Sequence, residues 1–315
     1  AREAIAEAFA PRFSAEGLLL TASSSEAYAL LFKLLCDCGD RVLLPRPSYP
    51  LLEHLARLEG LEVVFYQLRY AGGWEIDFDE VATMSSGAKA LVLVNPNNPT
   101  GSVLGASELR QLGRLCGERG LALISDEVFF EYLSRPELGV SASGLESCLT
   151  FTLGGLSKAC ALPQFKLSWV DVSGPREEQD RALAGLELIA DTYLSVSTPT
   201  LLAAPALLDI GGRRREKVWD RLTMARAAVE EVVRCHPSVT LLPAHGGWSA
   251  LVRVPALEDE ESLVLRILED EHVLVHPGYF FDMDAGSHLV CSLLTEPEVL
   301  KVGLNAALGQ LEVGR

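Results

Sequence analysis

The chain has 315 residues, 49% hydrophobic and 22% charged, so it is long enough to bury the core of one large domain and a smaller one. Its formal net charge of −16 argues against nucleic acid and anionic membrane surfaces as partners, because both repel an acidic protein. No apolar run reaches the ~20 residues that a membrane-spanning helix needs, so we expect no membrane-embedded segment.

Cysteine and histidine usage bears on compartment and metal binding. The seven cysteines are scattered, without a Cys-x-x-Cys pair, and no signal peptide is visible. We therefore expect a cytoplasmic protein whose thiols are small core residues rather than disulfide partners. The six histidines are also scattered along the chain, so we expect no metal site.

Short strand-like runs alternate with helical patterns from residue 17 to about residue 170. The predicted strands are 18–21, 41–44, 61–66, 88–94, 121–124 and 149–151, and the helices are 23–37, 49–58 and 107–119. The first helix opens at Ser23, with Glu26 three residues later as in a capping box. Strands that are apolar throughout are typical of a sheet covered on both faces. We therefore predict an α/β fold: a three-layer α/β/α large domain with a mostly parallel sheet.

The rest of the chain mixes both element types. Helices are predicted at 179–192, 201–234, 259–269 and 297–310, and strands at 239–242, 248–254, 273–275 and 288–293. The Gly211-Gly212 pair is a place where the second of these helices could break. This pattern favours a smaller α+β C-terminal domain, and we place the two domains at residues 1–210 and 211–315.

Three polar motifs each follow a predicted strand. They are Asn-Pro-Asn-Asn-Pro-Thr-Gly (95–101), Ser-Asp-Glu-Val-Phe (125–129) and Gly-Leu-Ser-Lys (155–158). Alone, each has a plainer interpretation: a β-turn, a helix cap and a surface lysine. Together they supply an amide, a carboxylate and an amine, which an enzyme needs to hold and use pyridoxal 5'-phosphate (PLP). In this order they resemble the class I/II aminotransferase family, fold type I of the PLP-dependent enzymes.

The resemblance implies three catalytic residues. Lys158 would form the Schiff base with PLP and act as the base of the proton shift, for which its pKa must be depressed. Asp126 would lie beneath the pyridine nitrogen and keep it protonated. Asn98 would donate a hydrogen bond to the cofactor's phenolic oxygen.

The resemblance also implies a set of residues that bind the cofactor. Ser24 and Ser25, at the start of a helix, would cradle the phosphate with backbone N–H groups and hydroxyls. Tyr49 would stack on the ring, and Ser157 precedes the lysine in the Ser-Lys pair. Lys166 matches a position where most relatives place a phosphate-binding arginine, and lysine keeps that charge but loses the bidentate fork. Segment 195–199 resembles the part that reaches the neighbouring subunit, although a plain loop is equally compatible.

Several positions depart from the family pattern. Phe129 stands where a tyrosine is usual, and Gly155 where many relatives have a phosphate-binding serine. Val290 falls at the position of the arginine that clamps the substrate carboxylate. His288, two residues earlier, is either a partial substitute or a surface histidine, and Arg253 is a further candidate. The family also normally has further residues before the segment that matches Ala1.

The predicted function is a PLP-dependent aminotransferase that moves an amino group between an amino acid or amine and a 2-oxo acid. The alternative is a PLP-dependent lyase or decarboxylase on the same scaffold, because the sequence does not show which bond at Cα is oriented for cleavage. A non-catalytic PLP-binding domain is a third possibility. The expected partners are a small-molecule amino donor, an oxo-acid acceptor and a second copy of the chain in a homodimer. An aromatic pocket for an apolar substrate, or simply core packing, would explain Trp248, Tyr279, Phe280 and Phe281.

Overall fold

The computed structural model of the chain describes residues 1–283 and 286–313. Its main feature is an eight-stranded sheet in the order β1-β8-β7-β6-β5-β2-β3-β4. Strands β2, β3, β5, β6 and β7 pair in parallel, whereas β8 runs antiparallel to β1 and β7, and β4 antiparallel to β3. The strands are β1 (Leu18–Thr21), β2 (Arg41–Arg46), β3 (Glu62–Tyr70), β4 (Trp74–Ile76), β5 (Ala88–Val94), β6 (Ala122–Asp126), β7 (Thr150–Gly155) and β8 (Ser168–Ser173).

Helices cover both faces of this sheet. They are α1 (Arg2–Ala8), α2 (Ser24–Leu35), α3 (Leu51–Leu58), α4 (Phe78–Met84), α5 (Ala106–Arg119), α6 (Leu156–Ala159), α7 (Arg176–Asp191) and α8 (Thr198–Arg234). Strand β2 shows how the layers form, because successive side chains point to opposite faces. Val42 and Leu44 pack in the core with α2, α3 and α7, whereas Leu43 packs in the core with α5. Both sides of the strand are buried, which explains its continuous apolar sequence and confirms the predicted three-layer α/β fold.

The C-terminal part has its own small sheet and core. Strands β9 (Thr240–Leu241), β10 (Ser249–Val254), β11 (His276–Pro277) and β12 (Ser287–Ser292) are antiparallel, in the order β11-β12-β10-β9. Helices α9 (Glu260–Glu271) and α10 (Pro297–Val313) pack on this sheet together with the second half of α8. The division at residues 210 and 211 stays a prediction, because α8 runs across it.

Two predicted features are wrong. Helix α8 continues through Gly211 and Gly212 without a break. Gly211 is small for a packing reason, since a Cβ there would lie 2.3 Å from Cys160 Sγ. The predicted strand 273–275 is also absent, and β11 covers only His276 and Pro277. Val273 and Val275 instead contribute to the C-terminal core.

The loop after β5 contacts the C-terminal part through Gly101. The Gly101 carbonyl accepts a 2.8 Å hydrogen bond from His245 N. Gly101 has φ +65, and a Cβ there would lie 2.6 Å from both Ala244 Cβ and Gly246 O. The glycine therefore meets a conformational and a steric requirement at once. This contact positions residues 244–247 beside the loop that carries Asn98.

We expect Gly101→Ala to destabilise the protein more than Gly72→Ala. Both glycines have positive φ, but Gly72 has open space around it. Both changes carry the left-handed backbone cost of about 1–2 kcal/mol. Only Gly101→Ala adds the cost of overpacking, about 1–3 kcal/mol. Urea unfolding of the two variants checks this, and equal losses would contradict the steric role of Gly101.

Candidate active site

A cavity of about 340 Å³ lies at the carboxyl ends of β5, β6 and β7. Its size is at the lower end of the ~300–1,000 Å³ typical of small-molecule sites, and such sites form where parallel strands end. The predicted residues that line it are Ser24, Ser25, Tyr49, Asn98, Asp126, Ser157 and Lys158. Lys166 is exposed and is not among the lining residues. The structure thus collects into one cavity residues that are far apart in the chain, and leaves Lys166 outside it.

Lys158 lies on α6, the single helical turn directly after β7. Burial lowers the pKa of its amine, and the negative charge of Asp126 opposes this effect. The ammonium nitrogen lies 5.2 Å from the centroid of the Trp248 ring and 5.7 Å from that of Phe129. Tyr132 fixes the backbone of the lysine by donating a 2.9 Å hydrogen bond to its carbonyl. A lowered pKa leaves a larger fraction of the amine neutral near pH 7, so this half-buried lysine is more available as a nucleophile and base than a surface lysine.

Asp126 is the last residue of β6, and its carboxylate is buried at the cavity wall. Tyr28 donates a 2.9 Å hydrogen bond to Oδ2, and Val128 N donates to Oδ1 at 3.2 Å. Burial raises the pKa of this carboxyl, while both hydrogen bonds and the charge of Lys158 lower it. A buried carboxylate in this setting is stabilised by any cation that enters the cavity beside it.

The neighbouring carboxylate, Glu127, stabilises the surrounding fold through hydrogen bonds. It points away from the cavity and accepts hydrogen bonds from Ser125 Oγ at 3.0 Å, Ser141 Oγ at 2.6 Å and Ala142 N at 2.7 Å. Burial raises its pKa to about 6. The alternation of side chains along a strand end therefore assigns one acid to the cavity and the next to the loop behind it.

Asn97 organises the loop that presents Asn98. Its Nδ2 donates to the Pro47 carbonyl at 3.0 Å and to Thr100 Oγ1 at 2.8 Å, and its Oδ1 accepts from Ser48 Oγ at 3.0 Å. These bonds join the loop of Tyr49 to the loop of Asn98. Asn98 Oδ1 itself accepts a 3.4 Å hydrogen bond from Ser249 on β10, so it contacts the C-terminal part as well.

The N-terminus of α2 forms one end of the cavity. Ser23 is its N-cap and accepts a 3.1 Å hydrogen bond from Glu26 N, as the capping pattern predicts. The Glu26 carboxylate accepts a hydrogen bond from Ala22 N rather than from Ser23 N. Ser24 and Ser25 line the cavity, and as first-turn residues their N–H groups have no carbonyl partner four residues earlier within the helix. Such groups bind phosphate or carboxylate readily.

The candidate carboxylate-binding residues do not line the cavity. Val290 packs in an apolar cluster with Leu251 and Phe281. His288 is only 3% exposed, so the interpretation as a surface histidine is wrong. Burial and the nearby Arg253 lower its pKa to about 4, so the imidazole is neutral near pH 7 and supplies no positive charge. Arg253 is exposed, with its guanidinium 6.0 Å from the Tyr70 ring centroid.

The aromatic residues considered for a substrate pocket separate into three environments. Trp248 packs against Phe129, with ring centroids 5.4 Å apart, and contacts Lys158. Tyr279 and Phe280 are roughly half exposed, whereas Phe281 is buried in the cluster with Val290. Of the four, only Trp248 has a described contact with a predicted catalytic residue.

Comparison with known proteins agrees with this geometry. Residues 1–306 match the family described as aminotransferase class I and II. The alanine aminotransferase of Mycobacterium tuberculosis H37Rv is 31% identical over 300 residues, which cover 89% of this chain and 67% of that protein. Glutamate-pyruvate aminotransferase AlaA of Escherichia coli K12 is 26% identical, over 97% of this chain and 78% of that protein. The solved alanine aminotransferase of Pyrococcus furiosus superposes with a TM-score of 0.90 at 24% identity, covering 99% of this chain and 81% of that one.

The fold and the cavity define an α/β enzyme that handles a small anionic cofactor, and the chain belongs to the class I and II aminotransferase family. The match confirms the predicted activity, a transaminase that uses PLP. The donor groups in the cavity suit this cofactor: a helix N-terminus for a phosphate, a carboxylate for a ring nitrogen and an amine for an aldehyde. None of the helices in the described residues is long and apolar enough to cross a membrane.

We expect Tyr28→Phe to weaken PLP binding, and more strongly at about pH 6 than at about pH 8. Loss of the hydroxyl removes a donor that lowers the pKa of Asp126, so the carboxylate loses its charge at a higher pH. Dissociation constants from absorbance titration at the two pH values check this.

The matched control for this prediction is Tyr66→Phe. It removes another buried tyrosine hydroxyl, one that donates to the Val92 carbonyl at 2.8 Å. Its effect on PLP affinity should be small and independent of pH. If Tyr28→Phe lost affinity equally at both pH values, the hydrogen bond would not control the Asp126 charge.

Proposed function

We propose that Lys158 and Asp126 form the reaction centre of the transaminase, with Asn98 and the first turn of α2 holding the cofactor. The observation that carries this proposal is the approach of an amine with a lowered pKa to a buried carboxylate across one cavity. PLP, when bound, supplies an electron-withdrawing ring that stabilises negative charge at the substrate Cα.

Each residue then has a definite task. Lys158 would hold the cofactor through its amine, and the free amine would take the proton from the substrate Cα. Asp126, held by Tyr28 and Val128 N, would keep a positive charge on the ring nitrogen. Asn98 would donate to the phenolic oxygen, and the Ser24 and Ser25 N–H groups would bind the phosphate. Tyr49, 47% exposed at the rim, is placed to cover the ring and exclude water from it.

We propose alanine as an amino donor and pyruvate as the corresponding 2-oxo acid. Relatives of this chain carry the names alanine aminotransferase and glutamate-pyruvate aminotransferase. In the described part of the chain, Lys158 is the sole basic side chain in the cavity lining, which also includes Leu51, Leu52 and Val94. Such a lining favours a small uncharged side chain over an acidic one.

Titration of the PLP-loaded protein with alanine, glutamate, aspartate and simple amines tests the reaction and its donor. Alanine should remove the visible absorption band, yield pyridoxamine 5'-phosphate in the protein-free extract, and allow pyruvate to restore the band. Lys158→Ala should abolish this turnover, whereas Lys217→Ala, at an exposed position on α8, should retain it. Release of ammonia or CO2 without pyridoxamine 5'-phosphate would instead establish the lyase or decarboxylase alternative.

We also propose a homodimer, because apolar side chains cluster at the surface around segment 195–199. Leu188 is 71% exposed, Leu194 95% and Leu202 79%. An exposed apolar patch of this kind supports a protein–protein interface, and a two-fold dimer is the commonest arrangement. A cytoplasmic location agrees with the seven cysteines, none of which forms a disulfide.

We expect Leu194→Asp to convert the dimer to monomers, because it places a charge in the proposed apolar interface. Val302→Asp is the matched control, since Val302 is also exposed, at 70%, but lies on α10. Light scattering coupled to size-exclusion chromatography measures the mass of each. A monomeric parent protein, or an unaffected Leu194→Asp dimer, would rule out this interface.

A further inference from the structure

Ser168 is a buried polar residue that has no place in the reaction described so far. It is the first residue of β8, is only 3% exposed and lines the cavity. In the sheet it pairs with Thr21 of β1 on one side and with Gly155 of β7 on the other. It therefore stands between the strand that leads into α2 and the strand that leads to Lys158.

Because Gly155 has no side chain, the space next to it is available to the Ser168 hydroxyl. A Cβ at Gly155 would lie 2.4 Å from Ser168 Oγ and 3.1 Å from Ser168 Cβ. The backbone of Gly155 is extended, with φ 179, so its conformation does not require glycine. The requirement is steric: a side chain fits at position 155 or at position 168, but not at both.

The Ser168 hydroxyl has no protein partner among the described residues. Its neighbours are already engaged, since Ser23 Oγ accepts from Glu26 N and Thr21 Oγ1 donates to the Ser23 carbonyl. The hydroxyl is not sealed in the protein interior, so a molecule in the cavity can reach it and accept its hydrogen bond. The cavity that this hydroxyl faces is the one that includes the α2 N-terminus.

We propose that Ser168 Oγ donates a hydrogen bond to the phosphate of PLP. This inference rests on the proposed function and adds a residue on β8 to the phosphate cradle at the α2 N-terminus. The serine that the family resemblance leads one to expect at position 155 is replaced by a serine on the paired strand, at the facing position. A serine at either position would bring its side chain into the same region, since a Cβ at position 155 would lie 2.4 Å from Ser168 Oγ.

Dissociation constants for PLP and for pyridoxal, which lacks the phosphate, test this assignment. Ser168→Ala should weaken PLP binding roughly ten- to a hundredfold, the range for a hydrogen bond to a charged group, and leave pyridoxal binding unchanged. Ser173→Ala is the matched control, because it removes another buried hydroxyl from β8, at the far end of the strand. It should change neither constant.

The exchange of the two residues is the second test. Gly155→Ser alone should weaken PLP binding through its clash with Ser168. The double variant Gly155→Ser/Ser168→Gly should recover most of the affinity of the parent protein, because the hydroxyl returns to the same space. Gly155→Ala/Ser168→Gly relieves the same clash without a hydroxyl, so it should remain weak; equal recovery in both double variants would show that Ser168 merely fills space.

The outcomes separate this inference from the proposed function. A parent protein that binds PLP, with a Ser168→Ala variant that binds it equally well, would overturn the role of Ser168 alone. Equal losses for PLP and pyridoxal would also overturn it, because they would indicate a general structural effect. A parent protein that does not bind PLP would overturn the proposed function itself.

Discussion

The chemistry of this protein depends on the electrostatic attraction between Lys158 and Asp126, which line the same cavity. Burial disfavours the charge on each group, so it lowers the pKa of the amine and raises that of the carboxyl, while their attraction works in the opposite direction. Neither group could keep such a balance at the protein surface, where solvent screens the attraction. The parallel strands, the turn of α6 and the Tyr28 hydroxyl are the parts that hold the two groups in place.

A set of buried hydrogen bonds holds the loops of the site in fixed positions relative to one another. Asn97 joins the loops that carry Tyr49 and Asn98, and Glu127 secures the loop behind Asp126 through three hydrogen bonds. These residues are buried and make no contact with a reacting atom. Their hydrogen bonds are strong because the surroundings have a low dielectric constant, and an unpaired group there would be costly. The loops beside the reactive groups are therefore held by buried hydrogen bonds, while Asp126 and Lys158 themselves stand on β6 and α6.

The parts of the site that could be predicted from the sequence are those encoded in a short stretch of chain. Lys158, Asp126 and Asn98 each follow a buried strand, so their place at the strand ends is a local property. Tyr28 is different: it meets Asp126 across 98 residues of chain, and in its own helix it is merely one more apolar position. Strand β8 was not predicted because half of its residues are polar, although all six are buried and Asp171 accepts a hydrogen bond from Ser143. The sequence around His288 suggests a surface residue, but in the structure Gly278 and Glu260 pack against it.

The uninterrupted course of α8 determines how the two parts of the molecule can move. Its 37 residues span about 55 Å, with the first half packed against the core of Trp169 and Leu207 and the second half against the C-terminal core. This one helix therefore belongs to both parts of the molecule. Hydrogen bonds from His245 N to the Gly101 carbonyl, from Ser249 to Asn98 and from Ser48 N to the Phe281 carbonyl also join the two parts. A swing of the C-terminal part relative to the large sheet would strain both the helix and these hydrogen bonds. Because Asn98 lines the cavity and is bonded to Ser249, such a swing would change the shape of the cavity.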